Sequence, residues 1–163
     1  MDIKIIQRNG EGILPVCFYG KNRSEEVLTY HKKVMDSLDI PMNYFEAPFD
    51  RMGHGDAIQW LINQTIDNPA IHYFWFCDVD CIPLRKDFIG VLYSKICDKQ
   101  SIFGPALATN HRNFKNHIYA AAFCLSFSKQ VYLDLGRPLM TDIVERSDNS
   151  QELTWRAKEL GKM

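Results

Sequence analysis

A chain of 163 residues, 46% apolar and 24% charged, is sized for one domain with a substantial core, which excludes disorder and a two-domain division. A net charge of −1 gives no electrostatic case for nucleic acid or an anionic lipid surface, and no apolar run reaches membrane-spanning length. The N-terminus lacks a signal-peptide layout, and five cysteines, three of them in apolar strand-like runs (Cys17, Cys77, Cys124), suit reduced thiols in a cytoplasmic protein.

Residues 1–12 are weakly patterned, with one apolar group at Ile3, Ile5 and Ile6 that suits an edge strand turning at Asn9-Gly10. Residues 13–19 read as the first core strand, ended by Gly20, and Lys21-Asn22-Arg23 then forms a loop at its carboxyl end. Ser24 with Glu25 and Glu26 supplies a capping hydroxyl and acids for a helix start. Val27, Leu28, His31, Val34, Met35 and Leu38 keep a helical period as far as Ile40-Pro41. A second strand over residues 42–47 breaks at Pro48. The polar loop that follows carries Arg51 and places Gly53 and Gly55 around His54. From Asp56 the spacing of Ala57, Ile58, Leu61, Ile62 and Ile66 predicts a helix that stops at Asn68-Pro69.

The next stretch organises the rest. Ile71-His72-Tyr73-Phe74-Trp75-Phe76-Cys77 is a nearly unbroken apolar run, the signature of a strand buried on both faces, and it leads into Asp78-Val79-Asp80. Pro83 cannot donate to a sheet, so pairing is expected to end near it. Side chains two apart on an extended strand point the same way, which would set Asp78 and Asp80 side by side. Two adjacent anions repel unless a cation lies between them, and carboxylate oxygens suit magnesium or manganese better than zinc. Cys77 and Cys81 bracket the acids, but zinc would need more Cys or His nearby than His72. A bare Asp-x-Asp is equally at home as two solvated turn residues.

A further helix is expected over residues 87–98, then strand-like runs over 101–108 and 119–127 separated by a loop carrying His111, Arg112, Lys115 and His117. Ser128 caps a short helix closed by Gly136 and Pro138. Asp148 or Asn149 caps a last helix running to Leu160, with Gly161 beyond it. Strand and helix alternate from residue 13 to about 100, which predicts a single α/β domain with a mostly parallel central sheet flanked by helices. Ligands of such sheets sit beyond the carboxyl ends of the strands. Residues 21–23, 51–56 and 78–80 converge there and suit a nucleoside diphosphate, with backbone N–H groups near Gly55 available to a phosphate. The alternative for Gly53-His54-Gly55 is an ordinary flexible loop.

Taken together, these segments resemble nucleotide-sugar-dependent glycosyltransferases of the GT-A (Rossmann-like) fold. Phe76-Cys77-Asp78-Val79-Asp80-Cys81-Ile82-Pro83-Leu84 is similar to that family's hydrophobic strand and DxD motif, and Arg51-Met52-Gly53-His54-Gly55-Asp56-Ala57-Ile58-Gln59-Trp60-Leu61-Ile62 to its Gly-x-x-x-Ala-x-Asn helix, with Gln59 where Asn is usual. The resemblance covers residues 13–161. It implies a manganese or magnesium ion held by Asp78 and Asp80, Asp78 also meeting the ribose or the metal's water shell. It further implies a nucleoside-diphosphate-sugar donor bound by Tyr19, Asn22, Arg23, Arg51, Gly53, His54 and Gly55, and a glycan, lipid or protein acceptor. The segment Asp148-Asn149-Ser150-Gln151-Glu152-Leu153-Thr154-Trp155-Arg156 resembles the helix that carries the catalytic base of inverting members. Asn149 and Ser150 stand where many members have Glu-Asp, so Asp148 is the first choice of base and Glu152 the second. Many members add a third metal ligand after this helix, where this sequence ends at Lys162-Met163. Either the acids and phosphate hold the metal alone, or the chain is a short or C-terminally truncated member.

Two rival readings stand beside this one. Haloacid-dehalogenase-type phosphohydrolases also put Asp-x-Asp at a strand end, but want Thr or Val where Ile82 stands and use their first strand. The other is a non-catalytic protein that, lacking the last metal ligand and a clear base, binds a nucleotide-sugar or glycan without transferring it.

Overall fold

The computed structural model describes residues 3–20, 25–47, 52–97, 101–108, 118–142 and 149–161. Strand β1 (Ile6–Arg8) folds back on β2 (Glu11–Gly20) through Asn9 at φ 50° and Gly10 at φ 81°. Two successive positive φ angles make the tight hairpin turn that matches strand twist, and Asn-Gly is the pair best suited to them. Helix α1 (Glu25–Ser37), β3 (Asn43–Ala47), α2 (His54–Thr65), β4 (Tyr73–Asp78) and α3 (Phe88–Ile96) follow as the sequence pattern predicts. The two later strand-like runs each divide. Gly104-Pro105 separates β5 (Ile102–Phe103) from β6 (Ala106–Ala108), and residues 121–123 separate β7 (Ile118–Ala120) from β8 (Cys124–Ser128). Helices α4 (Lys129–Asp134) and α5 (Gln151–Glu159) complete the described chain. Ser128 caps α4 by accepting the Val131 N–H, and Gly136 closes it at φ 75°.

The main sheet runs β1-β2-β4-β8-β5, with β3 also on β2. β4 covers one edge of β2 along residues 13–18, while β1 and β3 divide the other edge between residues 11–13 and 16–20. The expected mostly parallel, Rossmann-like sheet is not found. Only β3-β2-β4 is parallel, and four of the six pairings among the described residues are antiparallel. The connections explain the correction. A parallel neighbour needs a crossover, and α3 provides one from β4 to β5, which lies a place further out. β8 fills the gap between them, with no helix among the described residues between β5 and β8. The Asp78 N–H donates to Phe123 O at 2.8 Å, so β8 starts where β4 ends and runs back against it. β6 and β7 form a separate two-stranded ribbon.

β4 is buried on both faces, as its apolar run requires. Phe74 and Phe76 face Leu14, Val16, Phe127 and the apolar side of α2 (Ala57, Ile58, Leu61, Ile62). Tyr73, Trp75 and Cys77 face Ile13 and Cys17 together with Met35 of α1 and Ile89, Leu92 and Ile96 of α3. Each fully buried aromatic ring contributes roughly 1.5–3 kcal/mol of transfer free energy. This central strand therefore fixes where its last residue, Asp78, stands.

Candidate functional site

The parallel trio β3-β2-β4 brings the ends of three strands to one edge, with Gly20 beside Ala47 and Phe18 beside Asp78. Helix α2 starts at that edge. His54, its first residue, reaches across the sheet end so that Nε2 lies 3.1 Å from Asp78 Oδ1. The imidazole also stands edge-on to the Phe18 ring, with centroids 6.5 Å apart. Both partners are about a quarter exposed, at 23% and 26%. Two sequence segments 24 residues apart thus meet as one polar pair over an aromatic floor.

The two glycines around His54 serve structure as well as access. The Gly53 N–H donates to Asp56 Oδ2 at 3.0 Å, the returning half of a capping box. The Gly55 N–H donates to Asn149 Oδ1 at 3.2 Å, so the amide expected to receive a phosphate is already engaged. A Cβ on residue 55 would lie 2.1 Å from Met140 O and 2.5 Å from Asn149 Oδ1. Glycine is needed here because another stretch of backbone packs onto the helix start. Gln59 extends the same contact, accepting the Met140 N–H at 3.1 Å and donating to the Tyr132 hydroxyl at 3.0 Å.

Asp78 and Asp80 do not sit on one strand. β4 ends at Asp78, and the Cys81 N–H donates to Asp78 O at 2.9 Å, closing a β-turn over Val79 and Asp80. Strand alternation therefore does not align the two carboxylates, and the ladder ends five residues before Pro83. Val79 points into the core while Asp80 is exposed. Both acids lie close enough to Cys17 to act on its thiol, which burial above all, with their charge, pushes up to about 12.

The remaining expected site residues separate. Tyr19 packs with the core cluster on the α1–α3 face, opposite Phe18 and His54. Glu152 has both oxygens committed: Oε1 accepts from Arg156 Nε at 3.0 Å and from its Nη2, and Oε2 accepts the Leu139 N–H at 3.1 Å. Arg156 donates onward to Leu135 O at 3.0 Å. Glu152 thereby ties α5 to the chain after α4. Asn22, Arg23, Arg51 and Asp148, and the loop histidines His111 and His117 with Arg112, lie outside the described residues. Asn149, next to Asp148 in sequence, is the residue bonded to Gly55, so α5 begins beside the start of α2.

Behind the turn, on the α1–α3 face, is a cluster that residue spacing alone did not reveal as one. Cys77 Sγ–H donates to Cys81 O at 2.9 Å, and the thiols of Cys77, Cys81 and Cys124 are close enough to act on one another. The neighbouring Cys124 and Cys81 thiols, with burial, push the Cys77 thiol up, while Cys77 and Cys81 pull that of Cys124 down. His31 stands over them. Its Nε2 lies 3.2 Å from Cys81 O and its Nδ1 2.9 Å from the Tyr44 hydroxyl. A carbonyl only accepts, so Nε2 carries the proton and Nδ1 takes the Tyr44 O–H. Burial pulls the His31 pKa below its ordinary value.

Asp78 and Asp80 supply oxygen donors of the chemistry that magnesium or manganese prefers. Among the described residues no group of three or more His, Cys, Asp or Glu side chains is arranged to hold a metal ion. Among the described residues, Asp78 and Asp80 would hold a cation jointly with oxygens from a bound ligand and water. No described helix is long and apolar enough to cross a membrane. No protein-family model matches the chain, and no curated protein is significantly similar to it.

Proposed function

We propose that this protein binds a nucleoside-diphosphate sugar together with a manganese or magnesium ion and transfers the sugar to an acceptor hydroxyl. One observation carries the reading: Asp78 ends a buried strand, is met there by His54 from the start of α2 at 3.1 Å, and is followed by Asp80 within the β-turn that Asp78 O closes. A rigid strand presenting one carboxylate, with a second on an exposed turn, is suited to a cation shared with a diphosphate. When bound, such an ion neutralises charge on the departing nucleoside diphosphate. His54 orients the Asp78 carboxylate, and Phe18 fixes the imidazole plane. Asp148 is the residue proposed to take the acceptor's proton, since Asn149 ties the start of α5 to the start of α2.

Calorimetric titration of UDP and GDP, with and without manganese, on the native chain and on Asp80→Ala tests the donor site. Binding that needs both manganese and Asp80 supports it, and absence of binding under every condition removes it. A second reading, a binder without turnover, is favoured by the commitment of both Glu152 oxygens, which of the two candidate bases leaves Asp148. Sugar release from a bound donor, to water or to an added acceptor, separates the two.

A further inference from the structure

Three cysteines stand abreast on three neighbouring strands. Cys17 on β2 is in register with Cys77 on β4, and Cys77 with Cys124 on β8. Their order in the sequence gives no hint of this, because β8 enters the sheet out of turn. All three are free thiols, as is Cys81, which closes the turn after β4.

The pairing of Cys77 with Cys124 has a specific geometry. The Asp78 N–H to Phe123 O bond makes residues 78 and 123 a hydrogen-bonded pair of the antiparallel ladder. The adjacent pair, 77 and 124, is then of the non-hydrogen-bonded kind, in which Cα atoms approach to about 4.5 Å. A disulfide spans Cα separations of about 4.4–6.8 Å, so these residues can be bridged with little movement of either strand. Both side chains lie on the α1–α3 face, since the alternate residues Phe76 and Leu125 face the other way. Cys124 is partly exposed, whereas Cys77 is 3% exposed and Cys17 fully buried. An oxidant in solution reaches Cys124 before either of the others.

We propose that Cys77 and Cys124 form a reversible disulfide that loosens the turn carrying Asp78 and Asp80. A peroxide is the oxidant class. The Cys124 sulfur attacks the O–O bond, becoming a sulfenic acid, and the thiol proton leaves with the displaced oxygen as water. The Cys77 sulfur then attacks the sulfenic sulfur; an S–S bond forms, the S–O bond breaks, and the hydroxide leaves with the Cys77 proton as a second water. Two thiols lose two electrons and one peroxide becomes two waters. A dithiol reverses the change by exchange. The consequence for the turn follows from one bond. In the reduced protein Cys77 Sγ–H donates to Cys81 O at 2.9 Å, clasping the two ends of the segment that holds both aspartates. The disulfide has no S–H to donate, so that clasp is lost. The bridge and the loosened turn stand independently of the proposed ligand; only an effect on ligand binding rests on that reading.

The test uses the intact chain. After a short exposure to dilute hydrogen peroxide, free thiols are alkylated, the protein is digested without reduction, and linked peptides are identified by mass. Cys77 joined to Cys124 is expected, lost on treatment with dithiothreitol, with Cys97 alkylated throughout. Amide hydrogen exchange is followed on the same samples. The Cys81 amide, which donates to Asp78 O, should exchange severalfold faster in the bridged form and recover on reduction. Cys124→Ala should show no peroxide-dependent change in that amide. Full alkylation of Cys77 and Cys124 after peroxide, a dominant bridge through Cys17 or Cys81, or unchanged exchange at Cys81 in the bridged protein would each overturn the proposal.

Discussion

Asn149 accepts a hydrogen bond from the Gly55 N–H at 3.2 Å, joining the first turn of α2 to the residue before the cap of α5, 94 positions away in sequence. Met140 O closes on the same spot, because its carbonyl oxygen would meet a Cβ on residue 55 at 2.1 Å. The last part of the described chain is thereby pinned to the helix that presents His54. The start of α2 is held from both sides, by the sheet beneath and by this backbone above.

That contact makes Gly55→Ala costly. A methyl group there cannot be accommodated without separating α2 from residues 140 and 149, an overpacking expected to cost about 1–3 kcal/mol. Gly90 on α3 is the control, since a Cβ there meets nothing within 4 Å. Gly90→Ala should stabilise by roughly 0.5–1 kcal/mol through helix propensity. Urea unfolding of the two variants should move the midpoint in opposite directions. Equal midpoints would mean that the packing at Gly55 is not tight.

Glu152 gives a second prediction, which separates scaffold from catalyst. Glu152→Gln weakens the bonds to Arg156 and to the Leu139 N–H, and should lower stability by about 1–2 kcal/mol, allowing for the partial exposure of Arg156. If sugar transfer is detected, its kcat measured well below the unfolding temperature should fall by no more than a few fold. Loss of a general base would instead cost about 10²–10⁴-fold. The size of the kcat change decides which task Glu152 performs.

The legibility of this fold from sequence was uneven, and the reasons are physical. Local signals survived: the Asn9-Gly10 turn, the Ser128 cap, the apolar run of β4 and the helical periods of α1, α2 and α3 depend on nearby residues alone. The direction of β8 did not, because an apolar run reads the same whether its partner is parallel or antiparallel. Alternation of strands and helices up to residue 100 suggests parallel neighbours on both sides of β4; β2 is one, but the other side is taken by residues 124–128 running antiparallel. The alternation suggests that residues 51–56 and 78–80 converge, but not that His54 in particular meets Asp78. The engagement of Gly55 by Asn149, and the alignment of Cys77 with Cys124, depend on contacts that no local pattern encodes.

His31 supplies a pH prediction whose sign is fixed by its surroundings. The ring is buried, hydrogen-bonded as the neutral tautomer to Cys81 O and Tyr44, and flanked by Cys77, with Asp80 acting in the opposite sense to burial. Its pKa in the folded protein is below the unfolded value near 6.5, so the unfolded chain takes up the proton first. Stability is therefore retained above that value and falls as the pH drops through it towards the lower folded pKa. Denaturant unfolding between about pH 7.5 and about pH 5 should show this loss, and His31→Gln should flatten part of the slope. An unchanged slope in the variant would assign the effect to other groups.

The last prediction concerns the pair at the strand end. His54 and Asp78 are each about a quarter exposed, so their contact is worth no more than about 1 kcal/mol in stability. His54→Ala should lower the unfolding free energy by that much at most. Its effect on binding is the sharper question. If His54 only orients the carboxylate, manganese-dependent nucleotide binding should weaken by a few fold in His54→Ala, because Asp78 keeps its charge and its place at the end of β4. Asp78→Asn keeps the size of the side chain and removes the charge, and should weaken the same binding by at least about tenfold, a difference of about 1.4 kcal/mol. Calorimetry on both variants at one manganese concentration makes the comparison. Should His54→Ala prove the more damaging, the imidazole itself contacts the ligand, and the site is a His–Asp centre rather than a pair of carboxylates with a histidine beside it.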